Sequence, residues 1–268
     1  MEKILASLEM VIEPLSQYSV TNQKSSIFQA ILMEQIDKEY ASELHLSQLH
    51  PYSQCIISQK DKITWRINTL NEEAYNHIIV PLMSTEFSSF VVERDDVKFK
   101  IVDKNLRTSS RQNLIEKYYF GECSRYIRIR FVSPTAFKSN GNYLFWPQLD
   151  KIYRSIMKKY DAFSSNETLY DEETLGQLVQ YSEIIRYNIR STLFHLEGAK
   201  IPSYVGMIVV KVKGPQALVN LANVLWRYAG YSGIGIKAAI GMGANEIIER
   251  RAVSYTHLRA HETLANLV

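Results

Sequence analysis

Five of the eleven glycines fall in one stretch, Gly230-Tyr-Ser-Gly-Ile-Gly-Ile-Lys-Ala-Ala-Ile-Gly-Met-Gly-Ala244. Four of them make two Gly-x-Gly pairs, Gly233/Gly235 and Gly241/Gly243, with Lys237 between the pairs. Glycine reaches positive φ at little cost and lets a second backbone come close, so the stretch suits a tight loop lying against a bulky ligand. Successive N–H groups of such a loop can point at one anion, to which Lys237 adds charge. The run before it has helical spacing, and a glycine stop is a common helix end; the residues after it read as a strand. That order excludes a Rossmann turn, which needs the strand first and the helix second. A P-loop is excluded as well, because no Ser or Thr follows Lys237. As a bare pattern, a tight turn without a ligand fits the stretch equally well.

The chain of 268 residues is long enough for one large or two small cores. Its 46% hydrophobic and 22% charged residues are globular values. A net charge of +3 permits a polyanionic partner without requiring one. Cys55 and Cys123 provide neither a disulfide framework nor metal-ligand spacing, so a reducing cytoplasm is the expected compartment and no cofactor is expected. No apolar run approaches the length of a membrane span. Residues 252–268, which include Ala252-Val-Ser-Tyr-Thr-His-Leu-Arg-Ala-His-Glu-Thr263, are similar to translated sequencing-adapter read-through and are set aside as an artefactual tail. His257 and His261 within it lack the Glu and third ligand of a zinc helix, so no metal site is expected there.

Hydrophobic periodicity predicts a first strand over 2–14, a helix over 26–44 and a hairpin from 54–59 and 62–69 across Lys60-Asp61. A short helix over 72–83 capped by Asn71 and β-rich runs at 87–92 and 97–102 follow. The order is β-α-β-β-α-β, a ferredoxin-like (RRM-like) unit over residues 1–115. The polar segment 103–117 reads as a connection. A second unit over 120–250 repeats the order. Its strand at 125–131 breaks at Ser133-Pro134-Thr135, and a helix spans 148–160. Strands follow at 183–196 and 204–213, then a helix opened by Gly214-Pro215, the glycine-rich loop and a strand to about Ile248. The expected class is α+β, two tandem ferredoxin-like units with a C-terminal glycine-rich loop.

With these elements in place, the G-h-G-x(5)-G-h-G loop with its embedded Lys237 resembles that of the CRISPR-associated endoribonucleases that cut repeat RNA, the sixth Cas family. Phe131-Val-Ser-Pro-Thr-Ala-Phe137 resembles the segment opening that family's second domain, and Gly198–Gly206 with the β run after it resembles the family's late hairpin. The resemblance implies a metal-independent cut in which a ribose 2′-hydroxyl attacks the adjacent phosphate, leaving a 2′,3′-cyclic phosphate and a 5′-hydroxyl. It also implies a histidine after the first helix in a Leu-His context, which His45 matches in Glu43-Leu-His-Leu-Ser-Gln-Leu-His-Pro-Tyr52. Histidine titrates near neutrality and suits acid–base work. From the residues alone, His45 is equally a helix-capping histidine, and His50 equally a loop histidine. The tyrosine that some members carry on the first helix is missing: that neighbourhood is Ile27-Phe-Gln-Ala-Ile31. A two-histidine site, or one completed by Lys237 or Lys24, takes its place as the expectation.

Arg128, Arg130, Lys211 and Lys213 line strand faces where phosphate contacts and a plain solvated face are equally good readings. Together with Gly233, Gly235, Lys237, Gly241 and Gly243 they are the expected RNA-binding residues. His77 and His195 read as structural. The implied partner is CRISPR repeat RNA, precursor and mature guide, in a prokaryotic cytoplasm with no membrane association. A non-catalytic RNA-binding subunit of an effector complex is the alternative. Contact with effector subunits and a homodimer are left open by the residues.

Overall fold

The computed structural model describes residues 4–18, 20–21, 24–59, 62–164, 168–196 and 198–249. The tail at 252–268, with His257 and His261, and the turn at Lys60-Asp61 lie outside the described residues.

A five-stranded antiparallel sheet forms the N-terminal unit, in the order β2-β3-β1-β5-β4. Its strands are β1 (Ile4–Pro14), β2 (Tyr52–Gln59), β3 (Lys62–Thr69), β4 (Ser89–Val92) and β5 (Val97–Ser110). Central β1 pairs with β3 and β5, with Leu8 opposite both Ile67 and Leu106. Leu8, Met10, Ile12, Trp65, Ile67 and Phe99 pack as a buried face against Phe28, Ile31 and Leu32 of helix α1 (Ser25–Gln35). The edge strand β4 is an addition to the ferredoxin-like pattern and pairs with β5 alone.

The helix expected over 26–44 is two helices. Ile36 is extended, and Asp37 caps α2 (Lys38–Leu46) by accepting the N–H groups of Glu39 (2.9 Å) and Tyr40 (3.2 Å). Apolar spacing runs through the break, and a cap inside a periodic run resets the backbone without disturbing the period. The helix over 72–83 is present as α3 (Glu72–Ala74), a π turn at Tyr75–Ile79 and α4 (Val80–Met83), with the Asn71 side chain accepting from the Ala74 N–H. His77 on that turn stacks on Tyr40 at 4.4 Å.

The polar segment after residue 102 is no linker. It continues β5 to Ser110, paired with Ile4, and Arg111 then opens α5 (Arg111–Leu114). Polar residues fit there because one face of the sheet is open to solvent. The buried Arg111 guanidinium donates to the carbonyls of Leu70 and Phe163 and lies over the Tyr160 and Tyr228 rings, joining the two units.

The C-terminal sheet has the order β11-β6-β10-β9 and is antiparallel throughout. It comprises β6 (Tyr126–Thr135), β9 (Ser182–Leu196), β10 (Ala199–Val212) and β11 (Asn245–Ile247). Numbered within the unit, that is 4-1-3-2, the ferredoxin-like order. Strand β6 runs through Pro134 instead of breaking at Ser133, and a small hairpin, β7 (Phe137–Ser139) and β8 (Asn142–Leu144), follows it. Helices α6 (Leu149–Ala162), α7 (Glu172–Tyr181) and α8 (Gln216–Ser232) cover one face. Ile127, Ile129, Phe131, Ile208 and Val210 meet Ile152, Ile156, Leu218, Ala222 and Leu225 there.

The glycine-rich loop leaves α8 and crosses back to the N-terminal unit. Gly233, Gly235, Gly241 and Gly243 have φ of 65°, 77°, 111° and 71°, and Lys237 has φ of 57°. A Cβ on Gly241 would stand 2.1 Å from the Ser25 Cβ, at the start of α1. Gly241→Ala therefore adds a clash to a left-handed strain, and we expect it to destabilise the fold by roughly 2–4 kcal/mol in a denaturant titration.

Candidate active site

Where the loop meets the N-terminal unit, it closes a cavity of about 510 Å3. One wall is Gln48, Leu49, His50 and Tyr52, the segment between α2 and β2. The other is Lys138 and Tyr143 of the β7–β8 hairpin, Lys159 of α6 and the loop from Gly235 to Ile240. Four of these residues, His50, Lys138, Lys159 and Lys237, carry basic side chains, and no Asp or Glu lies among them. A concave site lined by bases and lacking acids attracts anions.

His50 is half-buried, and its buried Nδ1 has no hydrogen-bond partner among the described residues. Burial first, then the charges of His45 and Lys159, holds His50 below the ordinary histidine value. A neutral imidazole with an unpartnered nitrogen is equipped to accept a proton. Tyr52 beside it is buried, its hydroxyl held by Gln29 Nε2 at 3.4 Å and pushed up to about 12 by burial, so it remains a neutral phenol.

His45 is exposed on the last turn of α2 and is not part of the cavity wall, although its charge reaches His50. The structure thus brings together His50, Gly235 and Lys237, residues more than 180 positions apart in the chain. His45 stands at the rim of that group. Lys24, the other cation considered for the site, pairs with Asp95 at 3.6 Å and lies over the Tyr18 ring. Periodicity reasoning missed Lys138, Tyr143 and Lys159. For Lys159 there was a signal: it shares the inward helical face of Ile152, Ile156 and Tyr160.

Most of the loop's N–H groups bond within the protein. Those of Ile234, Gly235, Ile236 and Gly243 go to Gly243 O, Ser155 Oγ, Ala136 O and Pro134 O. The N–H groups of Lys237, Ala238 and Ala239 make no hydrogen bond to a described residue, and all three residues line the cavity.

The four strand cations lie elsewhere. Arg128, Arg130 and Lys211 are on the sheet face that carries no helices; Arg130 pairs with Glu246 at 3.2 Å, and Lys211 lies over the Tyr126 ring. Lys213 pairs with Glu183 at 2.6 Å. A larger cleft of about 860 Å3 includes Glu9, Arg66, Arg107 and Glu246. There Glu9 holds Arg66 and Arg107, each at 2.8 Å, and Lys117 and Arg227 also line the cleft, so acids and bases are mixed. Its size is therefore a weaker guide to anion chemistry than the acid-free lining of the smaller cavity. Among the described residues no group of three or more His, Cys, Asp or Glu comes together as a metal site, and no helix is long and apolar enough to cross a membrane.

The lowered His50 value has a signed consequence. Below the ordinary histidine value the unfolded chain takes up the His50 proton first, so stability falls as pH drops from about 6.5 toward the native midpoint. Replacing His45 by Gln removes one like charge, and the His50 midpoint followed by NMR is expected to rise.

A family model described as CRISPR-associated endoribonuclease Cas6 matches residues 129–245, which include the whole glycine-rich loop. CRISPR-associated endoribonuclease Cas6 of Streptococcus thermophilus is 28% identical over 251 residues, covering 94% of this chain and 100% of the relative. Its namesake from Mycobacterium tuberculosis is 29% identical over 219 residues, covering 80% of this chain and 68% of the relative. Among solved structures, a Cas6 product complex superposes with a TM-score of 0.77 at 20% identity, over 92% of this chain and 100% of the other. A Thermus thermophilus Cas6 does so with a TM-score of 0.71 at 16% identity, over 92% and 100%. These structures share the tandem ferredoxin-like fold, and the sequence relatives extend the likeness along most of the chain. The chain thus matches the Cas6 family model over residues 129–245 and is similar to Cas6 endoribonucleases along most of its length.

Proposed function

We propose that this protein is the endoribonuclease that cuts CRISPR repeat RNA, and that the cut takes place at the His50 cavity. The observation that carries the site is its lining: a neutral, unpartnered histidine beside lysines, with no carboxylate. The likeness to Cas6 endoribonucleases supports the substrate class.

RNA can be cut without a metal because the 2′-hydroxyl is an internal nucleophile. Its proton must leave as it attacks the phosphorus, the bond to the 5′-oxygen must break, and the extra negative charge of the phosphorane must be met by cations. His50 accepts the 2′-hydroxyl proton. His45, at the rim and in its protonated form, returns one to the departing 5′-oxygen. Lys237 and Lys138, both exposed at the cavity, contact the phosphate and its neighbour. The products are a 2′,3′-cyclic phosphate and a 5′-hydroxyl. The glycine-rich loop holds the RNA backbone through Lys237 and the N–H groups at the start of its 3-10 turn. The open sheet face with Arg128, Arg130 and Lys211 carries more distant phosphates, and Lys213 joins it when Glu183 yields. The product is retained and passed to effector subunits.

Incubation with repeat RNA in EDTA tests the chemistry. One cut ending in a cyclic phosphate is expected. Binding without a cut would instead favour the non-catalytic RNA-binding subunit. His50→Ala should slow single-turnover cutting by about 10²–10⁴-fold with repeat binding kept, and His45→Ala should slow it as well. A wild-type rate in His50→Ala would move the chemistry out of this cavity. Lys237→Ala should weaken binding and lower the salt dependence by about one phosphate contact.

A further inference from the structure

We propose that Lys159 is a positioning residue of the cut site, seating the glycine-rich loop on the cavity and setting the field in which His50 works. The proposal rests on the nuclease reading above for its catalytic part.

Among the described residues, Lys159 is the one buried lysine. Helix α6 turns Ile152, Tyr153, Ile156, Met157 and Tyr160 inward, and Lys159 falls on that same buried side. Its Nζ donates to the carbonyls of Ser232 and Gly233, each at 3.1 Å. Those two oxygens end α8, where the helix dipole gathers negative charge, so an ammonium is held there without a carboxylate. Gly233 is also the first residue of the loop. The bond to Lys159 therefore fixes the direction in which the loop leaves α8, and Lys237 follows four residues later.

Lys159 lines the cavity with His50, and its charge opposes a second positive charge on that ring. The other titratable groups around it come from every packed element. They are His50 and Tyr52 before and on β2, His45 on α2, Lys138 and Tyr143 on the hairpin, Lys237 on the loop, and Tyr228 on α8. The Tyr228 hydroxyl donates to the Lys159 carbonyl oxygen at 3.1 Å. Asp161, two residues on, is occupied by the N–H groups of Leu169 and Tyr170. No acid of the cavity wall answers the Lys159 charge.

Burial pulls Lys159 down to about 7, so between that pH and its ordinary value the unfolded chain holds the proton more tightly. Stability therefore rises with pH over that window, and below it the charged lysine is a full burden on the fold. An isosteric apolar residue relieves that burden but leaves the Ser232 and Gly233 carbonyls without this donor.

The test uses the full chain with Lys159→Met, Lys159→Gln as a second neutral variant that still donates to the carbonyls, and Lys159→Arg. The His50 midpoint is read by NMR in each, alongside melting at about pH 6 and single-turnover cutting of repeat RNA. Lys159→Met, which leaves both carbonyls without this donor, should melt lower than Lys159→Gln. Their His50 midpoint should rise by about half a unit, a threefold change in proton affinity, and cutting should slow at least about tenfold. Lys159→Arg should keep the low midpoint and most of the rate. An unmoved His50 midpoint in a folded neutral variant overturns the proposal, and so does wild-type cutting by that variant. If the wild-type chain binds repeat RNA without cutting it, the nuclease reading fails instead. The midpoints need no RNA and still decide the coupling.

Discussion

The seat of the glycine-rich loop on the start of α1 is the contact on which the site depends. Gly241 packs where a methyl group would strike the Ser25 side chain. Ser25 is in turn wired into the N-terminal sheet. Its Oγ accepts from the Ile56 N–H at 3.3 Å and its carbonyl from Gln54 Nε2 at 2.8 Å, while Gln54 Oε1 accepts from Trp65 Nε1 at 2.9 Å. Nearby, Ser53 Oγ donates to Tyr231 O at 2.6 Å and Asn68 Nδ2 to Gly230 O at 3.3 Å, so the end of α8 is tied to β2 and β3. A loop grown from one unit is thereby fixed on the other. The cavity exists because two separately built walls are held at one distance.

Charge explains why chemistry would collect in this cavity and not in the larger cleft. In the cleft, Arg107, Glu9, Arg66 and Glu246 follow one another in alternating sign, and Glu246 also pairs with Arg130 on the open sheet face. Such a chain joins the two sheets and offsets part of the positive charge of the cleft. In the His50 cavity the lysines meet carbonyls or solvent, and their field remains available to an incoming phosphate. Burial first, and then the charges of His45 and Lys159, keeps the His50 ring neutral beside those lysines.

Much of the architecture was legible because the alternation of β6 and the helical stripes of α6 and α8 record which side faces a core. Departures arose where polar local chemistry overrode that record. Asp37 restarts a helix inside an unbroken apolar period, β5 continues through polar residues on an open face, and α7 has too short an apolar stripe to stand out. The cavity itself was not legible. His50 and Lys237 could each be singled out by type and neighbours, yet nothing local states that a loop near residue 240 returns to residue 50. Lys159 shows the limit from the other side: a lysine at a core position was visible, and its carbonyl partners were not.

Because the loop's glycines are consumed by the protein's own packing, any part of the loop in the proposed RNA binding is narrower than the motif suggests. Gly233 meets Ala238, Gly235 meets Ala136 O, Gly241 meets Ser25 and Gly243 meets Ile234 O, all closer than a Cβ tolerates. None of these close approaches leaves room for an RNA backbone at the same atom. What the loop can offer a phosphate is the segment between the pairs, Lys237 and the first N–H groups of the 3-10 turn, lifted into the cavity by four left-handed glycines. The glycines shape the loop, and the residues between them line the cavity.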